Sequence, residues 1–404
     1  MSAKVLYHLI GARGYSVETV QEYRGALYLW VRRDGGAPCC PACGSRDGYG
    51  RGHDTRCFRT LPIGARRVFL VWPVPRIECA RCGRIHQSTG PLAEPRRRVT
   101  RAFVRYVLQL LRFGTVQDVA RHLQVGWDLV KEIHQRHLHR SFSKPKLKHL
   151  REIAIDEFHV GKGQRYRTLV LDLRSGAVVF VGFGKGADAL KPFWKRLHAS
   201  HAKVRAVAMD MSWAYIDAVR DHLPHATIVF DRFHLVKLAH EKLTQLRREL
   251  YHECTTRMHK QVLKGTRWLL LKNPEHLDER RRERDRLDQA LQLNQPLATA
   301  YYLKEDLRQI WEQLDKVRAR RFLKDWIARA ECTGIRLLQQ LAKTVATHRE
   351  SILAWYDCRI STSPLEGIIN KIQTLKRKHY GFRDNQYFML RILALHESRY
   401  ELVG

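Results

Sequence analysis

Two aspartates and one glutamate stand in settings that restrict the fold more than any other feature of this chain. Asp156 and Asp210 each follow a short apolar run typical of a buried strand, whereas Glu366 lies in a polar, basic segment that predicts a helix. Bare carboxylates a few ångströms apart repel one another, so a fold that gathers them needs a divalent metal between them. Carboxylate-held metals on a very basic chain indicate phosphodiester chemistry on nucleic acid.

The charge of the chain narrows its partners. Its 404 residues, enough for roughly two to four domains, include 73 Lys and Arg against 40 Asp and Glu, a formal net charge of +33. Such an excess usually means a polyanionic partner, although charge alone does not separate DNA from RNA. We find neither a secretory signal nor an apolar run near the roughly 18 residues of a membrane helix. We therefore expect a cytoplasmic protein whose nine cysteines are reduced or metal-bound.

Alternating apolar runs over residues 151–231 predict an α/β core. EIAIDEFHV, RTLVLDL and AVVFVGF predict three consecutive antiparallel strands joined by the turn-like GKGQ and RSG, and a helix, a strand, a helix and a fifth strand follow. This is the layout of a ribonuclease H-like core, in which Asp156 on the first strand and Asp210 at the end of the fourth are neighbours. Glu157 points to the opposite face of a regular strand.

Two Cys-x-x-Cys-Gly pairs predict a structural zinc site formed by Cys40, Cys43, Cys79 and Cys82. Four thiolates satisfy a tetrahedral Zn²⁺, and the glycine after each pair permits a tight turn. The segment between the pairs is longer than the usual 15–20 residues, and a β-hairpin would fit there as in a zinc ribbon. Four unligated thiols are the alternative. Cys39 and Cys57 are spare, and His53 and His86 are available as substitute ligands.

Residues 115–138 have the pattern of a helix-turn-helix. Thr115 and Asp118 predict a capping box, the turn is expected at Gln124-Val125-Gly126, and a second helix begins at Trp127. The second helix would offer to DNA the side chains of Trp127, Asp128, Lys131, Glu132, His134 and Gln135. An ordinary helical hairpin is the alternative, and the basic flanking segments favour DNA binding.

Together these motifs resemble one known family. The four-cysteine module, the helix-turn-helix, IAIDEFHVGKG, VAMDMSWAY, VFDRFHLVK and STSPLEGIINKIQTLKRKHYGFRD are similar, in this order, to bacterial insertion-sequence transposases of the ISL-three type, within the DDE group. The resemblance covers nearly the whole chain, and the last block is its most specific part. It implies that Asp156, Asp210 and Glu366 are the catalytic residues and hold two Mg²⁺ or Mn²⁺ ions.

The resemblance also implies an organisation. The expected α/β multidomain chain has a zinc-ribbon-like β module (1–95), a helix-turn-helix domain (100–142), the first part of a ribonuclease H-like catalytic core (150–239), an all-helical insertion (240–350) and the last part of the core with the glutamate helix (351–404).

Auxiliary residues follow from the same comparison. Asp231 and His234 fall where such relatives often carry a C/D-x-x-H element after the fifth strand. His234 could orient a scissile phosphate or Asp210, or it could be a core histidine, and Asp231 is a weaker competitor for the second metal position. Asn370 lies one helical turn after Glu366 and should share its face.

A basic run after the glutamate predicts phosphate contacts by Lys371, Lys376, Arg377 and Lys378. Some DDE families place a lysine seven residues after the glutamate. Here that position is Gln373, so Lys376 or Arg377 would replace the missing contact. The alternative is a solvated helix face.

The implied activity is DNA transposition. The N-terminal modules would bind the terminal inverted repeats of the element in double-stranded DNA, and the metal site would nick the element ends and join the 3′-hydroxyls to target DNA. Synapsis of two ends implies a homodimer or a larger assembly in the nucleoid of a bacterial cytoplasm. We expect no membrane association. We also expect no nucleotide cofactor, because Gly182–Gly186 lacks the sequence context of a phosphate-binding loop.

Two rival functions remain at this point. One is a catalytically inactive, sequence-specific DNA-binding regulator derived from a transposase, and the other is a ribonuclease H-like, structure-selective nuclease. The complete carboxylate set argues against the regulator, and the two N-terminal modules argue against the nuclease.

Overall fold

The computed structural model describes residues 8–35, 40–87, 90–161 and 166–397, which fall into two compact units. Unit 1 comprises Met1–Ser143, Leu375–Leu390 and Glu397–Gly404, and unit 2 comprises Lys144–Thr374 and Arg391–His396. Cys39 and most of the predicted GKGQ turn lie outside the described residues.

Unit 1 contains a five-stranded sheet in the region expected to form a β module. The strands are β1 (Tyr15–Tyr23), β2 (Ala26–Arg33), β3 (Gly48–Arg59), β4 (Arg67–Cys79) and β5 (Ile85–Gln87). Their order is β1-β2-β4-β3 with β5 also on β4, and β2 and β4 are parallel whereas the other pairs are antiparallel. The alternate β4 residues Val68, Leu70, Trp72 and Val74 are buried in the core of this unit, because successive side chains of a strand point to opposite faces.

Three helices follow the sheet in unit 1: α1 (Arg101–Leu110), α2 (Val116–Leu123) and α3 (Trp127–Phe142). The predicted capping box is present, since the side chains of Thr115 and Asp118 each bond the backbone of the other. Helix α2 ends at Gln124 in the left-handed region (φ 52°), and α3 begins three residues later. The predicted helix-turn-helix is therefore confirmed in its elements.

Unit 2 contains a second five-stranded sheet with the predicted sequence of elements. These are β6 (Glu152–His159), β7 (Tyr166–Asp172), β8 (Val178–Phe183), α4 (Ala187–Ala199), β9 (Ala206–Met209), α5 (Trp213–His222) and β10 (Thr227–Phe230). The strand order is β10-β9-β6-β7-β8. Strands β6, β7 and β8 are antiparallel neighbours, whereas β9 is parallel to both β6 and β10.

A long helical stretch follows β10. It contains α6 (Arg232–Glu253), α7 (Arg257–Gly265), α8 (Arg267–Leu271), α9 (Glu283–Gln292), α10 (Gln295–Arg308), α11 (Lys316–Cys332), α12 (Arg336–Thr347) and α13 (Arg349–Leu353). Short 3₁₀ turns occur at Pro274–His276, Glu279–Arg281, Gln309–Glu312, Ala354–Tyr356 and Leu395–Glu397. The expected boundary between residues 239 and 240 falls inside α6. One buried cluster contains both sheet residues such as Val207 and helix residues such as Trp326, so these helices share the core of the sheet.

The last helices are α14 (Ser363–Lys378) and α15 (Asn385–Leu393). Pro364 stands in the first turn of α14, where a missing N–H costs nothing. Leu365, Ile368 and Ile372 are buried on one face of this helix. None of the helices in the described ranges has the length and apolar character that crossing a bilayer requires.

Candidate active site and nucleic-acid interface

Sheet pairing brings Asp156 and Asp210 side by side. Strands β6 and β9 run in parallel with Ala154 opposite Ala208, and the same register places Asp156 opposite Asp210 just beyond the last paired residues. Asp210 directly follows the end of β9, whereas Asp156 lies within β6, so both carboxylates stand just past the carboxyl end of the paired β6–β9 segment. The sequence predicts this neighbourhood, and the register supports it.

Asp156 is half-buried, and its surroundings act on its charge. Burial, as the largest influence, raises the pKa of Asp156, and the charge of Asp210 acts in the same direction. The backbone N–H of Glu157, 2.7 Å from Asp156 Oδ1, and the charge of His234 oppose this rise. Asp210 Oδ1 accepts a hydrogen bond from the N–H of Ser212 at 3.1 Å. The pair is therefore a partly desolvated anionic site with a half-buried histidine close to Asp156.

Glu366 lies in the first turn of α14 and is exposed. At spacings of four and three, Glu366, Asn370 and Gln373 share one helix face. Gln373 Nε2 donates a hydrogen bond of 3.1 Å to His159 O at the end of β6. The face that carries Glu366 therefore borders the strand that carries Asp156.

The carboxylates of Asp156, Asp210 and Glu366 do not all lie close enough together to be ligands of one metal ion. Within the described ranges, the only group of three or more His, Cys, Asp or Glu ligand atoms that all lie within 4.8 Å of one another is made of cysteines. Asp156 and Asp210 are neighbours in the sheet, whereas Glu366 stands on a separate helix. The gathering of all three carboxylates around metal ions therefore stays a prediction.

Asp231 has a different environment from the one expected for a competing metal ligand. It is only 3% exposed, and its two carboxylate oxygens each accept a backbone hydrogen bond of 2.6 Å. Oδ1 accepts from the N–H of Phe233 and caps α6, and Oδ2 accepts from the N–H of Thr362, the residue before α14. Because both oxygens are engaged, Asp231 ties the end of β10 to the start of the helix that carries Glu366.

Glu157 points away from Asp156, as strand alternation predicts. Tyr215 Oη on α5 donates to Glu157 Oε1 at 2.5 Å, and the N–H of Gly186, just before α4, lies 3.2 Å from the same oxygen. Thr168 Oγ1 is 3.0 Å from Tyr215 Oη. This network holds both helices to the back of β6.

The four predicted zinc ligands form one cluster. The Sγ atoms of Cys40 and Cys82 are 3.8 Å apart, and those of Cys43 and Cys79 are 3.5 Å apart. Tetrahedral zinc with Zn–S bonds of about 2.3 Å requires sulfur atoms roughly 3.8 Å apart. Hydrogen bonds to Cys79, above all from the backbone of Cys82, lower the pKa of its thiol to about 7, whereas hydrogen bonds with neighbouring thiols help to raise the pKa of Cys43 and of Cys82. The cysteines therefore have the chemistry and the spacing of a structural zinc site.

Backbone turns hold these sulfur atoms in place. Gly44 (φ 73°) and Gly83 (φ 65°) adopt left-handed conformations, and their N–H groups donate at 2.9 Å to Cys40 O and Cys79 O. His86 does not replace a cysteine, since its Nε2 lies 3.4 Å from Cys82 Sγ as a hydrogen-bond partner.

His53 and Cys57, the other two reserve residues within the described ranges, lie on β3 outside the cluster.

Helix α3 exposes part of its predicted DNA-contacting set. Trp127 and Asp128 at its first turn are exposed, and Gln135 is half-buried. Lys131 Nζ lies 2.9 Å from Asp384 Oδ2 and 5.3 Å from the centre of the Trp127 ring. Of the predicted set, the first-turn residues Trp127 and Asp128 and also Glu132 are thus exposed.

His134 does not belong to that surface. It is 7% exposed, and its Nδ1 lies 2.8 Å from Tyr387 Oη. Leu138 and Ile133 on the same helix are also buried. The prediction that His134 faces DNA is therefore wrong for this structure, because the side chain faces the interior of unit 1.

Sequence comparison agrees with the order of these sites along the chain. Residues 36–82 match the zinc finger of transposases IS204/IS1001/IS1096/IS1165, residues 91–138 match the helix-turn-helix domain of transposase family ISL3, and residues 153–392 match the DDE, ISL3 family described as transposase. The last match alone spans more than half of the chain. The chain belongs to the ISL3 family of transposases.

Full-length relatives carry the same description. The chain is 34% identical over 400 residues to the transposase for insertion sequence element IS1001 of Bordetella parapertussis, covering 98% of each chain. It is 29% identical over 391 residues to the transposase for IS1557 of Mycobacterium tuberculosis H37Rv, covering 90% of this chain and 87% of the relative. This ISL3 chain is therefore a DDE-type DNA transposase of an insertion sequence, with zinc-ribbon, helix-turn-helix and transposase domains in that order.

One solved structure is more distantly similar. The Drosophila P element transposase strand transfer complex is 12% identical, with a TM-score of 0.35, over 66% of this chain and 80% of that chain. A likeness at this level carries no argument about the ISL3 fold.

The basic residues after Glu366 differ in exposure in this ISL3 transposase. Lys371 and Arg377 are exposed, whereas Lys376 is half-buried and burial lowers the pKa of its amine. Lys378 Nζ donates to Phe113 O at 3.3 Å. Of the two residues predicted to replace the missing lysine contact, Arg377 is the more accessible.

Sequence reasoning missed one basic group. Residues 95–98 (PRRR) look like part of a linker, but the structure places Arg96, Arg97 and Arg98 around a cleft together with Arg59 and Arg67 of the sheet. The run of three arginines was the available signal. Its partners on β3 and β4 are distant in sequence and could not be found from it.

Proposed function

We propose that this transposase cuts and joins DNA at Asp156, Asp210 and Glu366 after unit 1 has bound the terminal inverted repeats of its element. The observation that carries the proposal is the shared register of Asp156 on β6 and Asp210 after β9, two parallel neighbouring strands. The strand order and directions of this sheet also support a ribonuclease H-like core into which the helices from α6 to α13 are inserted.

The carboxylates of the proposed site are suitable ligands for divalent metal ions. Carboxylate oxygens are the preferred ligands of Mg²⁺ and Mn²⁺, and burial together with the neighbouring charge of Asp210 makes Asp156 a site that a cation would stabilise. Asp156, Asp210 and Glu366 would hold the ions. Bound in pairs, such ions make water or a 3′-hydroxyl a better nucleophile and stabilise the leaving oxygen of an in-line displacement.

The surrounding residues would position the DNA and the glutamate. His234, whose charge acts on Asp156, would hold a scissile phosphate by a charge-assisted hydrogen bond. Asp231 and Gln373 hold α14 through Thr362 and the end of β6. Asn370, one turn after Glu366, presents an amide on the same helix face.

Accessible polar and basic side chains would make the DNA contacts. Trp127, Asp128 and Gln135 of α3 would read or approach base edges, with Lys131 beside them. Lys371 and Arg377 would contact phosphates, and Lys376 and Lys378 would add positive charge behind them. Joining two element ends to one target implies that the active complex contains at least two copies of the chain.

A strand-cleavage assay tests the proposal. The substrate is a duplex that carries the ends of the element, with Mg²⁺ or Mn²⁺, and a pre-cleaved 3′-hydroxyl end with target DNA tests joining. We expect Glu366→Gln to lower cleavage by two to three orders of magnitude, roughly the loss found when a group that stabilises transition-state charge is removed, while DNA affinity is unchanged. Glu331→Gln, at an exposed position of α11, is the matched control and should cleave like the wild type.

Equal cleavage by wild type and Glu366→Gln would remove Glu366 from the mechanism. Tight, end-specific binding without cleavage by the wild type would instead favour the regulator, for which the incomplete closure of the three carboxylates is the relevant observation.

A further inference from the structure

A cleft of about 380 Å³ in unit 1 concentrates positive charge without a carboxylate among its lining residues. The lining arginines are Arg59, Arg67, Arg96, Arg97 and Arg98, and of these Arg97 is paired through Nη1 with Glu132 at 2.7 Å, outside the lining. The turn Gln124-Val125-Gly126, which precedes α3, forms another part of its wall. The sheet of the zinc ribbon and the start of the second helix of the helix-turn-helix therefore share one strongly basic pocket.

Arg59 is the buried arginine of this cleft, and no carboxylate among the described residues forms an ion pair with it. It is only 6% exposed, and its Nη2 donates to Leu123 O at 3.2 Å. Its Nε and Nη1 are buried and have no hydrogen-bond partner among the described residues. Burial, and next the charge of Arg67, lowers the pKa of the Arg59 guanidinium. A buried guanidinium with two idle donors is costly unless an anion completes its hydrogen bonds.

Aromatic packing holds this guanidinium in place. Arg59 Cζ lies 5.1 Å from the centre of the Phe69 ring and 5.8 Å from that of Phe103. Phe69 itself lines the cleft. Stacking on aromatic faces leaves the N–H groups in the guanidinium plane able to donate, and the idle Nε and Nη1, which lie on different edges of that plane, can each donate one hydrogen bond to an anion.

The start of α3 adds backbone donors to the same cleft. This helix has 16 residues, and its N-cap, Gly126, provides no side-chain hydrogen bond. The first N–H groups of a helix have no partner inside it, and the helix dipole adds partial positive charge at this end. A helix start next to a basic cluster is a favourable place for an anion.

We propose that this arginine cleft binds one backbone phosphate of the DNA that α3 reads. The proposal rests on the proposed function, since it takes the bound polyanion to be the DNA of the element end. Arg59 lies on β3, Arg67 begins β4, and the other three arginines precede α1. A single phosphate held by all of these elements would fix the zinc ribbon and the helix-turn-helix in one register on the duplex.

The test couples a protein charge to a single DNA phosphate. Binding of the full chain to a duplex that carries an element end is measured by fluorescence anisotropy. Each phosphate linkage in the part of the duplex that α3 would read is replaced in turn by a neutral methylphosphonate. We expect one linkage at which the wild type loses roughly tenfold in affinity, the worth of one charge-assisted hydrogen bond. Arg98→Gln should bind the unmodified duplex with about tenfold lower affinity than the wild type. Replacing the critical linkage by methylphosphonate should not lower the affinity of this variant further.

Arg66→Gln is the matched control. Arg66 neighbours Arg67 in sequence but is exposed, pairs with Glu22 at 2.9 Å and lies outside the cleft. This variant removes the same charge, so it should retain the full loss at the critical linkage. At a linkage that the cleft does not contact, the fold-losses in affinity from Arg98→Gln and from the methylphosphonate are independent and multiply. If they multiply at every linkage, the cleft does not hold a DNA phosphate and the proposal is overturned.

Inorganic phosphate separates this proposal from the proposed function. If the wild type does not bind the element ends, the proposed function fails. A rise in Tm with phosphate above that with chloride of equal ionic strength, reduced in Arg98→Gln, would then still assign an anion site to the cleft. If phosphate raises Tm but no linkage is coupled to Arg98, the cleft binds an anion other than a DNA phosphate, and the DNA assignment is overturned. If phosphate does not raise Tm and no linkage is coupled, the anion site itself is overturned.

Arg59→Met tests the buried residue directly. We expect it to weaken DNA binding at least as much as Arg98→Gln without lowering Tm, because it removes a buried charge that the protein itself does not pair. DNA affinity equal to the wild type in a folded Arg59→Met variant would contradict the proposal.

Discussion

At the scale of single residues, Asp231 shows how backbone hydrogen bonds can occupy a carboxylate beside a candidate active site. Its position after the fifth strand suggested competition for a metal, yet both of its oxygens accept backbone N–H groups. Thr362, one of the two donors, directly precedes the helix of Glu366. Asp231 is thus placed to set where that helix begins.

We expect Asp231→Asn to reduce both stability and cleavage. The amide group of asparagine offers a donor where one of the two N–H groups needs an acceptor, and a buried unsatisfied group costs about 1–3 kcal/mol. The free energy of unfolding in urea and the cleavage rate should both fall, with unchanged DNA affinity. Asp315→Asn is the control, because Asp315 caps α11 at an exposed position where asparagine is an equally good N-cap. Loss of cleavage and of metal binding with no loss of stability would instead make Asp231 a metal ligand.

At the scale of elements, the start of α2 shows how far local chemistry decides structure. Thr115 Oγ1 accepts from the N–H of Asp118 at 3.2 Å, and Asp118 Oδ2 accepts from the N–H of Thr115 at 2.9 Å. These bonds satisfy donors that a helix start would otherwise leave unpaired. Hydrogen bonds from Thr115, its side chain first, lower the pKa of Asp118.

Thr115→Ala should lower the free energy of unfolding of unit 1 by about 1 kcal/mol, the usual loss for an N-cap. Thr256→Ala is the control, since Thr256 is the N-cap of α7 without a capping hydrogen bond, and its loss should be much smaller. Urea denaturation measures both.

The effect should also depend on pH. The Asp118 contribution is complete above its unfolded pKa of about 3.9 and is lost as pH falls through its lower folded pKa. Equal losses in the two variants at neutral pH would show that the capping box contributes nothing.

At the scale of the whole molecule, the two units have separate buried cores. In unit 1 the core lies on the first sheet, around residues such as Leu70, and in unit 2 it joins the second sheet to the helical stretch. The zinc cysteines belong to unit 1 alone. Small β modules rarely build a sufficient core without a staple, so zinc should matter mainly for unit 1.

Removal of zinc should therefore lower the Tm of unit 1 and leave that of unit 2 nearly unchanged. Structural zinc contributes on the order of 10 kcal/mol in zinc-finger peptides, enough to unfold a small module when it is lost. Calorimetry with and without a chelator, together with metal analysis, measures the effect. Cys43→Ser should behave like the chelated protein, whereas Cys57→Ser, outside the cluster, should bind zinc normally. Full zinc content in Cys43→Ser would contradict the assignment.

The sequence by itself determined the elements, the cysteine pairs and the neighbourhood of Asp156 and Asp210. Apolar alternation predicts β6 to β10, and the side chains of Thr115 and Asp118 predict the start of α2, because these signals depend on residues close together in the chain. Cysteine spacing predicts a shared metal for the same reason. Parallel pairing then follows from the order of the strands.

Only the tertiary structure decided which polar groups are buried and what they meet. Asp231 and Thr362 are 131 positions apart, His134 and Tyr387 are 253 apart, and Arg59 meets the end of α2 at a separation of 64. The same holds for Glu366, whose distance from the two aspartates depends on where α14 packs. No local sequence pattern predicts these long-range contacts, because burial and hydrogen-bond partners arise when distant segments of the chain pack into one core.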